Sequence, residues 1–333
     1  MPDALFGPMM YVIALLTMGG IYAVIALGLN VQWGLTGLFN AGIAGFFAIG
    51  AYTSALLTAP DSPNHLGGFG LPIALGLAGS MLAAGIIAYG VGRICLRLRS
   101  DYLAIATIGI AEILRLILKN EAWLTNGPRG IASIPRPFES LGQPWAQLAF
   151  LAIVVALVLV AYLAIERGLN APWGRVMRAI RENDVAAAAT GKDVARFRLQ
   201  AFVFGSMFMG LGGALMAHSF KFIGPDATEP LMTTFLVWVM LIVGGSGNNR
   251  GAILGPLVVW TIWSATELVT NRLPPEWITR ASYIRVFLIG LLLQIVMQRF
   301  ARGLLPERPP VVAATPPAAA GAVSARERKK PAE

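Results

Sequence analysis

Apolar residues along this chain come in long, nearly unbroken runs, not at the spacing of a surface helix or an alternating strand. Nine stretches carry the pattern: 9–29, 35–57, 71–92, 101–118, 146–165, 199–219, 231–244, 252–269 and 281–297. A run of about 20 weakly charged residues, rising 1.5 Å per residue, crosses a hydrocarbon layer of roughly 30 Å. One such run fits a buried helix of a soluble protein; a succession of them fits lipid. The expected fold is therefore an all-α integral membrane protein, a polytopic bundle of about eight or nine transmembrane helices. The count turns on the second run. Its glycines Gly37, Gly42, Gly45 and Gly50, with Gly34 just before it, allow a broken or re-entrant form, which is tolerated only where protein or a watery cavity shields the backbone.

Small residues add a packing pattern to these runs. Gly76, Ser80, Ala84, Ala88 and Gly92 fall every fourth residue, as do Ser206, Gly210 and Ala214, and Gly37, Ala41 and Gly45. Spacing by four puts each set on one helical face, where another helix approaches closely.

Composition agrees with a lipid environment: 56% of the 333 residues are hydrophobic and 13% charged, against about 25% charged in ordinary soluble domains. The net charge of +9 has its explanation in loop bias, since basic residues near span ends stay on the cytoplasmic side. Of 26 Lys and Arg, eighteen lie in one set of connections (Arg93 to Arg99, Arg167 to Arg198, Arg250, and from Arg299 onward). Six lie in the other set, and Arg115 and Arg285 lie within runs. The carboxy terminus is thus expected in the cytoplasm, and with nine spans the amino terminus outside. Nucleic-acid binding would need a basic soluble domain, which the pattern does not provide. Cys95 is the single cysteine, which excludes an internal disulfide framework. The first residues carry Asp3 and no basic residue, which favours a retained first span over a cleaved signal. Residues 1–300 then form the transmembrane domain, with a long cytoplasmic loop at 166–198. Residues 304–333, rich in Pro and Ala, read as a disordered cytoplasmic tail.

Searches for catalytic machinery find no phosphate-cradling loop, no histidine pair at helical spacing and no hydrolase elbow. His65 and His218 are the only histidines, so no metal site is expected. The chain reads as a transport subunit, not an enzyme. Within the runs, Glu112 and Arg115 stand three residues apart, and ionisable groups at such depth face the bundle interior or a cavity. They are either a structural ion pair or part of a translocation path. Asn30, Gln32, Asn40 and Tyr52 bracket the glycine-rich run and are candidates for solute contacts or for bonds between helices. In the cytoplasmic loop, Arg175, Arg178, Arg181 and Glu182 recur at spacings of three and four. A patch of small residues follows from Val185 to Ala189, and Gly191 stands where a helix C-cap would. This segment, with Asp184, Ala186 and Ala187 at its centre, suits docking into a groove of a partner.

Five segments in order resemble the branched-chain amino acid type of ABC-importer permease: GLNVQWGLTGLFNAGIAGFFAIGAYTSALL (28–57), LRSDYLAIATIGIAEILRLIL (98–118), LTNGPRGI (124–131), RAIRENDVAAAATGKD (178–193) and VGGSGNNRGAILGP (243–256). The likeness covers roughly residues 9–300. Val185, Ala186, Ala187, three residues and Gly191 are similar to the Glu-Ala-Ala, three residues, Gly loop of those permeases, with Val185 in place of Glu and Asp184 one position earlier. Ile43 stands where many members carry His. The resemblance implies a permease subunit in a bacterial inner membrane, coupled through Arg178 to Gly191 to cytoplasmic subunits that bind ATP and Mg, with no cofactor held by this chain. It implies a second permease subunit, a paralogue forming a heterodimer with this chain, and an extracytoplasmic solute-binding protein facing residues 124–131. The path would be for branched-chain amino acids or a related small polar solute, with Asn40, Tyr52, Glu112 and Arg115 as its candidate residues. The alternative is an autonomous carrier or channel.

Overall fold

The structure, a computed structural model, describes residues 3–63, 65–270, 274–300 and 302–307. Each of the nine predicted runs coincides with a helix over most of its length: α1 (Asp3–Leu29), α2 (Ile43–Thr58), α3 (Ile73–Cys95), α4 (Ser100–Asn120), α6 (Trp145–Asn170), α9 (Val194–Phe220), α10 (Pro230–Gly244), α11 (Asn249–Thr270) and α12 (Pro275–Arg299). Between them lie three short helices, α5 (Ala122–Thr125), α7 (Pro172–Glu182) and α8 (Asp184–Ala189). Four helical stretches, Phe6–Gly34, Ile73–Cys95, Trp145–Asn170 and Val194–Phe220, are long and apolar enough to cross a membrane by length and composition. Their burial separates two roles. The stretch through α1 is mostly enclosed, whereas few residues of α6, the most apolar, are buried. Val155, Leu159 and Val160 of α6, with Leu75, Leu82 and Ile86 of α3, form an outer apolar belt of the kind that lipid or a partner helix covers. This is a multi-pass helical membrane protein.

At the centre, α9 packs against α1, α2 and α3. The small residues make this possible. A Cβ built at Gly210 would stand 2.6 Å from the Ala84 Cβ and 2.9 Å from the Ser80 carbonyl, and one at Gly50 would strike the Gly210 backbone. Gly210→Leu is therefore expected to cost about 1–3 kcal/mol or more. It should abolish the monodisperse peak of the detergent-purified chain on size exclusion. Gly90→Leu, where nothing lies within 4 Å, should leave that peak unchanged; equal behaviour of the two variants would contradict the packing account.

The second run is broken at its start. From α1 the chain continues through a π-helical turn, Asn30–Gly34, and leaves the helix at Gly37, whose φ of +71° is a left-handed value that glycine adopts without strain. Residues 37–42 are non-helical, and α2 starts only at Ile43. The freed backbone groups find side chains. The Ala41 amide donates to Thr107 Oγ1 at 3.0 Å, the Gly42 amide to Asn40 Oδ1 at 2.8 Å, and Trp238 Nε1 donates to the Asn40 carbonyl at 3.1 Å. Burial of all but a few residues of this segment meets the requirement that irregular backbone at membrane depth be shielded by protein.

One end of the bundle gathers the turns 59–72, 121–144 and 221–229. There β1 (Ile131–Ala132) pairs antiparallel with β2 (Phe222–Ile223), Ile131 opposite Ile223. Lys221 bonds Glu139 at 2.6 Å and holds its carboxyl below the usual carboxylate range. Buried His218 is held between Ser54 Oγ at 2.9 Å and the Pro135 carbonyl at 2.7 Å. The opposite end gathers the α3–α4 connection, α7, α8, the α10–α11 turn and residues 302–307. Composition starts the tail at 304, yet 304–307 are seated: the Leu304 and Leu305 amides donate to the Val243 and Gly244 carbonyls at 2.9 and 3.0 Å. Residues 308–333 lie outside the described residues.

Candidate functional site

The site is built from three connected parts: an outward knob, a buried polar junction and an open cavity. The knob is α7–α8. Pro172 at the first turn of α7 suits a helix start, and Gly174, Met177 and Ile180 turn inward. Where sequence reading has one continuous helical segment, the structure has two helices. Asn183 adopts an extended conformation and its side chain accepts from the Ala186 amide at 2.9 Å, an N-cap that starts α8 afresh. The Asn-Asp pair 183–184 was the signal for it. Gly191, at φ +78°, follows the Thr190 cap and donates its amide to the Ala188 carbonyl at 2.9 Å, closing α8. Val185 is 74% exposed and Ala186 is exposed, whereas Ala187 is 5% exposed. The knob thus presents Val185 and Ala186 outward and uses Ala187 as its anchor. Asp184 pairs with Arg198 of α9 at 2.9 Å, while Glu182 is exposed.

Arg181 joins the knob to the bundle. Its guanidinium donates to the Gly34 carbonyl at the end of the π-helical turn and to Glu307 Oε1 at 3.1 Å, with Oε2 at 2.9 Å. Its Cγ lies near Gly37, where the chain unwinds. Around it runs a buried polar junction. Asn30 donates to Asn249 Oδ1 at 2.9 Å and accepts from the Gly247 amide at 2.8 Å; Asn249 donates to Glu166 Oε2 at 2.8 Å. Gln32 donates to the Phe202 carbonyl at 2.8 Å and to Ser206 Oγ at 3.1 Å, and accepts from Asn40 Nδ2 at 2.8 Å. Of the alternatives for Asn30, Gln32 and Asn40, bonds between segments and helices are what the structure contains. Arg178 borders the same region, beside Glu166 and Asn248.

The unwound segment also walls a cavity of about 690 Å³ between Phe39, α4 and α10. One side is aromatic: Trp33, Phe39 and Trp238, with Trp238 at 4.7 Å and 4.5 Å between ring centroids from the other two. The other side is charged. Arg115 Nε donates to Glu112 Oε2 at 2.9 Å, and Glu229 stands on the same wall. Glu112 and Arg115 are therefore paired and also line a cavity. Asn40 touches this wall through its carbonyl bond to Trp238. Tyr52 does not: it is 1% exposed, in a separate core cluster with Ile131, Ile134 and Ile223. Ile43 is fully buried at the first turn of α2. The aromatic trio and Glu229 were missed by sequence reading, because nothing local distinguishes them from other residues of apolar runs.

A family model described as branched-chain amino acid transport system / permease component matches residues 11–297. The chain is 35% identical over 317 residues to the high-affinity branched-chain amino acid transport system permease protein LivM of Escherichia coli (strain K12), covering 88% of this chain and 69% of that one. It is 29% identical over 331 residues to the probable branched-chain amino acid transport permease protein LivM of Methanocaldococcus jannaschii, covering 90% and 93%. It is 24% identical over 291 residues to the high-affinity permease protein LivH of Salmonella typhimurium, covering 83% and 91%. No solved structure matches the chain.

Proposed function

We propose that this chain, which belongs to the branched-chain amino acid transport permease family, forms one half of the membrane path of an ATP-driven importer. The second half is a related permease subunit, a reading supported by the likeness of this one chain to both LivM and LivH proteins. The cargo is a small zwitterion with an apolar side chain. Its charged groups exchange with the Glu112–Arg115 pair and Glu229, while Trp33, Phe39 and Trp238 receive the apolar part. The observation that carries this reading is connection: the α7–α8 knob is tied by Arg181 to the turn whose continuation walls the cavity.

ATP and Mg are bound by cytoplasmic partner subunits that seat the knob, and a binding protein delivers solute at the end holding residues 124–131. The end holding the knob carries the larger share of Lys and Arg, which supports a cytoplasmic placement; the membrane is the bacterial inner membrane. Binding of ATP moves the knob, and the unwound segment follows it.

Arg115→Gln is expected to raise the half-saturating solute concentration for uptake by about tenfold, one hydrogen-bonded charge contact being worth roughly 1.5–3 kcal/mol. The assay is uptake into vesicles carrying both permease subunits, both ATPase subunits and the binding protein. Basal ATP hydrolysis should not change. An unchanged half-saturating concentration would remove the ion pair from the path. Uptake that persists in vesicles lacking the ATPase subunits is the result an autonomous carrier gives, and it would overturn the importer reading as a whole.

A further inference from the structure

At the knob end, on the outer surface away from the path cavity, two cavities meet. The first, of about 680 Å³, lies between the last turns of α3 and the first turns of α9. Arg93, Arg97 and Arg196 line it, with Asp193 as the one carboxylate. Asp193 is engaged as the N-cap of α9, accepting from the Arg196 amide at 3.0 Å. Among the described residues none of the three arginines pairs with a carboxylate, and Arg93 lies over the Tyr89 ring at 5.8 Å. The second cavity, of about 360 Å³, is an apolar crevice between α3, α6 and α9 lined by Met81, Ile165, Trp173, Phe204 and Met207. Phe204 walls both cavities, and Trp173 stands edge-on to it at 6.4 Å. Trp173 Nε1 donates to Gln200, itself a wall of the basic cavity.

We propose that this two-part groove holds one anionic glycerophospholipid of the adjoining leaflet, headgroup phosphate among Arg93, Arg97 and Arg196, acyl chain in the crevice beside Trp173. Three features converge on that occupant. The crevice is walled by α3 and α6, the two helices that carry the apolar belt, so lipid reaches it without leaving the bilayer. Its basic end sits at the termini of α3 and α9, the depth of headgroups, where pockets of arginine between helices take anionic lipid. Its aromatic seam, Tyr89 and Trp173, marks the same interface. A soluble anion would leave the crevice empty, and a zwitterionic lipid would bring its own cation against three arginines. The proposal is independent of the transport reading; only the naming of the leaflet as cytoplasmic comes from it.

Trp173 supplies the test. The full chain is reconstituted in vesicles with increasing mole fractions of phosphatidylglycerol or phosphatidylcholine brominated on the acyl chain, and the quenching that Trp173→Phe removes is followed. Phosphatidylglycerol is expected to quench this component at about a hundredfold lower mole fraction than phosphatidylcholine, each of the three arginines contributing about fivefold. Each arginine removed, as in Arg93→Gln or Arg196→Gln, should reduce that preference by about fivefold, from about 1 kcal/mol per basic residue near a membrane surface. Equal quenching by the two lipids in the unmodified protein overturns the proposal without reliance on any variant. So does a preference that is undiminished after both arginines are replaced. If a partner subunit fills the groove instead, the Trp173 component in the assembled transporter responds to neither lipid, which is equally fatal.

Discussion

Replacing Ala186 with arginine is expected to abolish solute-stimulated ATP hydrolysis and uptake while leaving the chain folded and inserted. Ala186 and Val185 form the outward face of α8, a helix of six residues held by the Asn183 cap and the Gly191 turn. A face of methyl groups permits close seating in a partner's groove. An arginine there must either stand the partner off or be buried unpaired, which costs about 3–5 kcal/mol and weakens the complex by a hundredfold or more. Ala187→Arg gives a different outcome. Its side chain turns into the bundle, so that variant should also lower the yield of folded protein. ATPase stimulation in vesicles containing the partner subunits, set beside insertion of the chain, separates the two. Full stimulation of Ala186→Arg would mean that α8 is not the docking face.

Arg181→Ala should uncouple the machine in a second way, with ATP still hydrolysed and solute no longer moved. The guanidinium is the shared partner of the Gly34 carbonyl and the Glu307 carboxylate. Its loss leaves both unsatisfied in a partly buried setting, a penalty of about 1–3 kcal/mol for the carbonyl alone. Uptake per ATP is expected to fall about tenfold. Arg181→Lys should recover only part of it, since an ammonium does not reproduce a planar fork that serves two acceptors. A cycle with Glu307→Gln tests the clamp directly: removal of both groups should cost less than the sum of the single losses. Additive losses, or unchanged uptake per ATP in Arg181→Ala, would reduce Arg181 to a surface residue.

The helical runs were legible because lipid imposes a length and a composition on each span, and both are local properties of the chain. The position of Gly191 beyond α8 was legible for a similar reason, a cap being set by its immediate neighbours. Arg181 could be picked out by spacing, but its partners Gly34 and Glu307 lie 147 and 126 residues away, and no periodicity carries such distances. The same limit explains Tyr52, grouped with Asn40 by its nearness in the chain. Twelve residues of separation, with a stretch of helix between, put it in a different core from the cavity. The break at Gly37 was visible only as an excess of glycine. Its extent was set elsewhere, by Thr107 and Trp238 on α4 and α10, which supply the bonds that the unwound backbone lacks.

The meeting of Arg181 with Gly34 also has an electrical side. The stretch Phe6–Gly34 is 29 residues long, and a helix of that kind ends in unsatisfied carbonyls equivalent to about half a negative charge. The Arg181 cation sits on that terminus. Were α7 to withdraw, the helix end would lose its compensating cation, a contact worth about 0.3–1 kcal/mol, so the pair resists separation. A displacement of the knob is thereby felt at the end of the first span as a change of electric field.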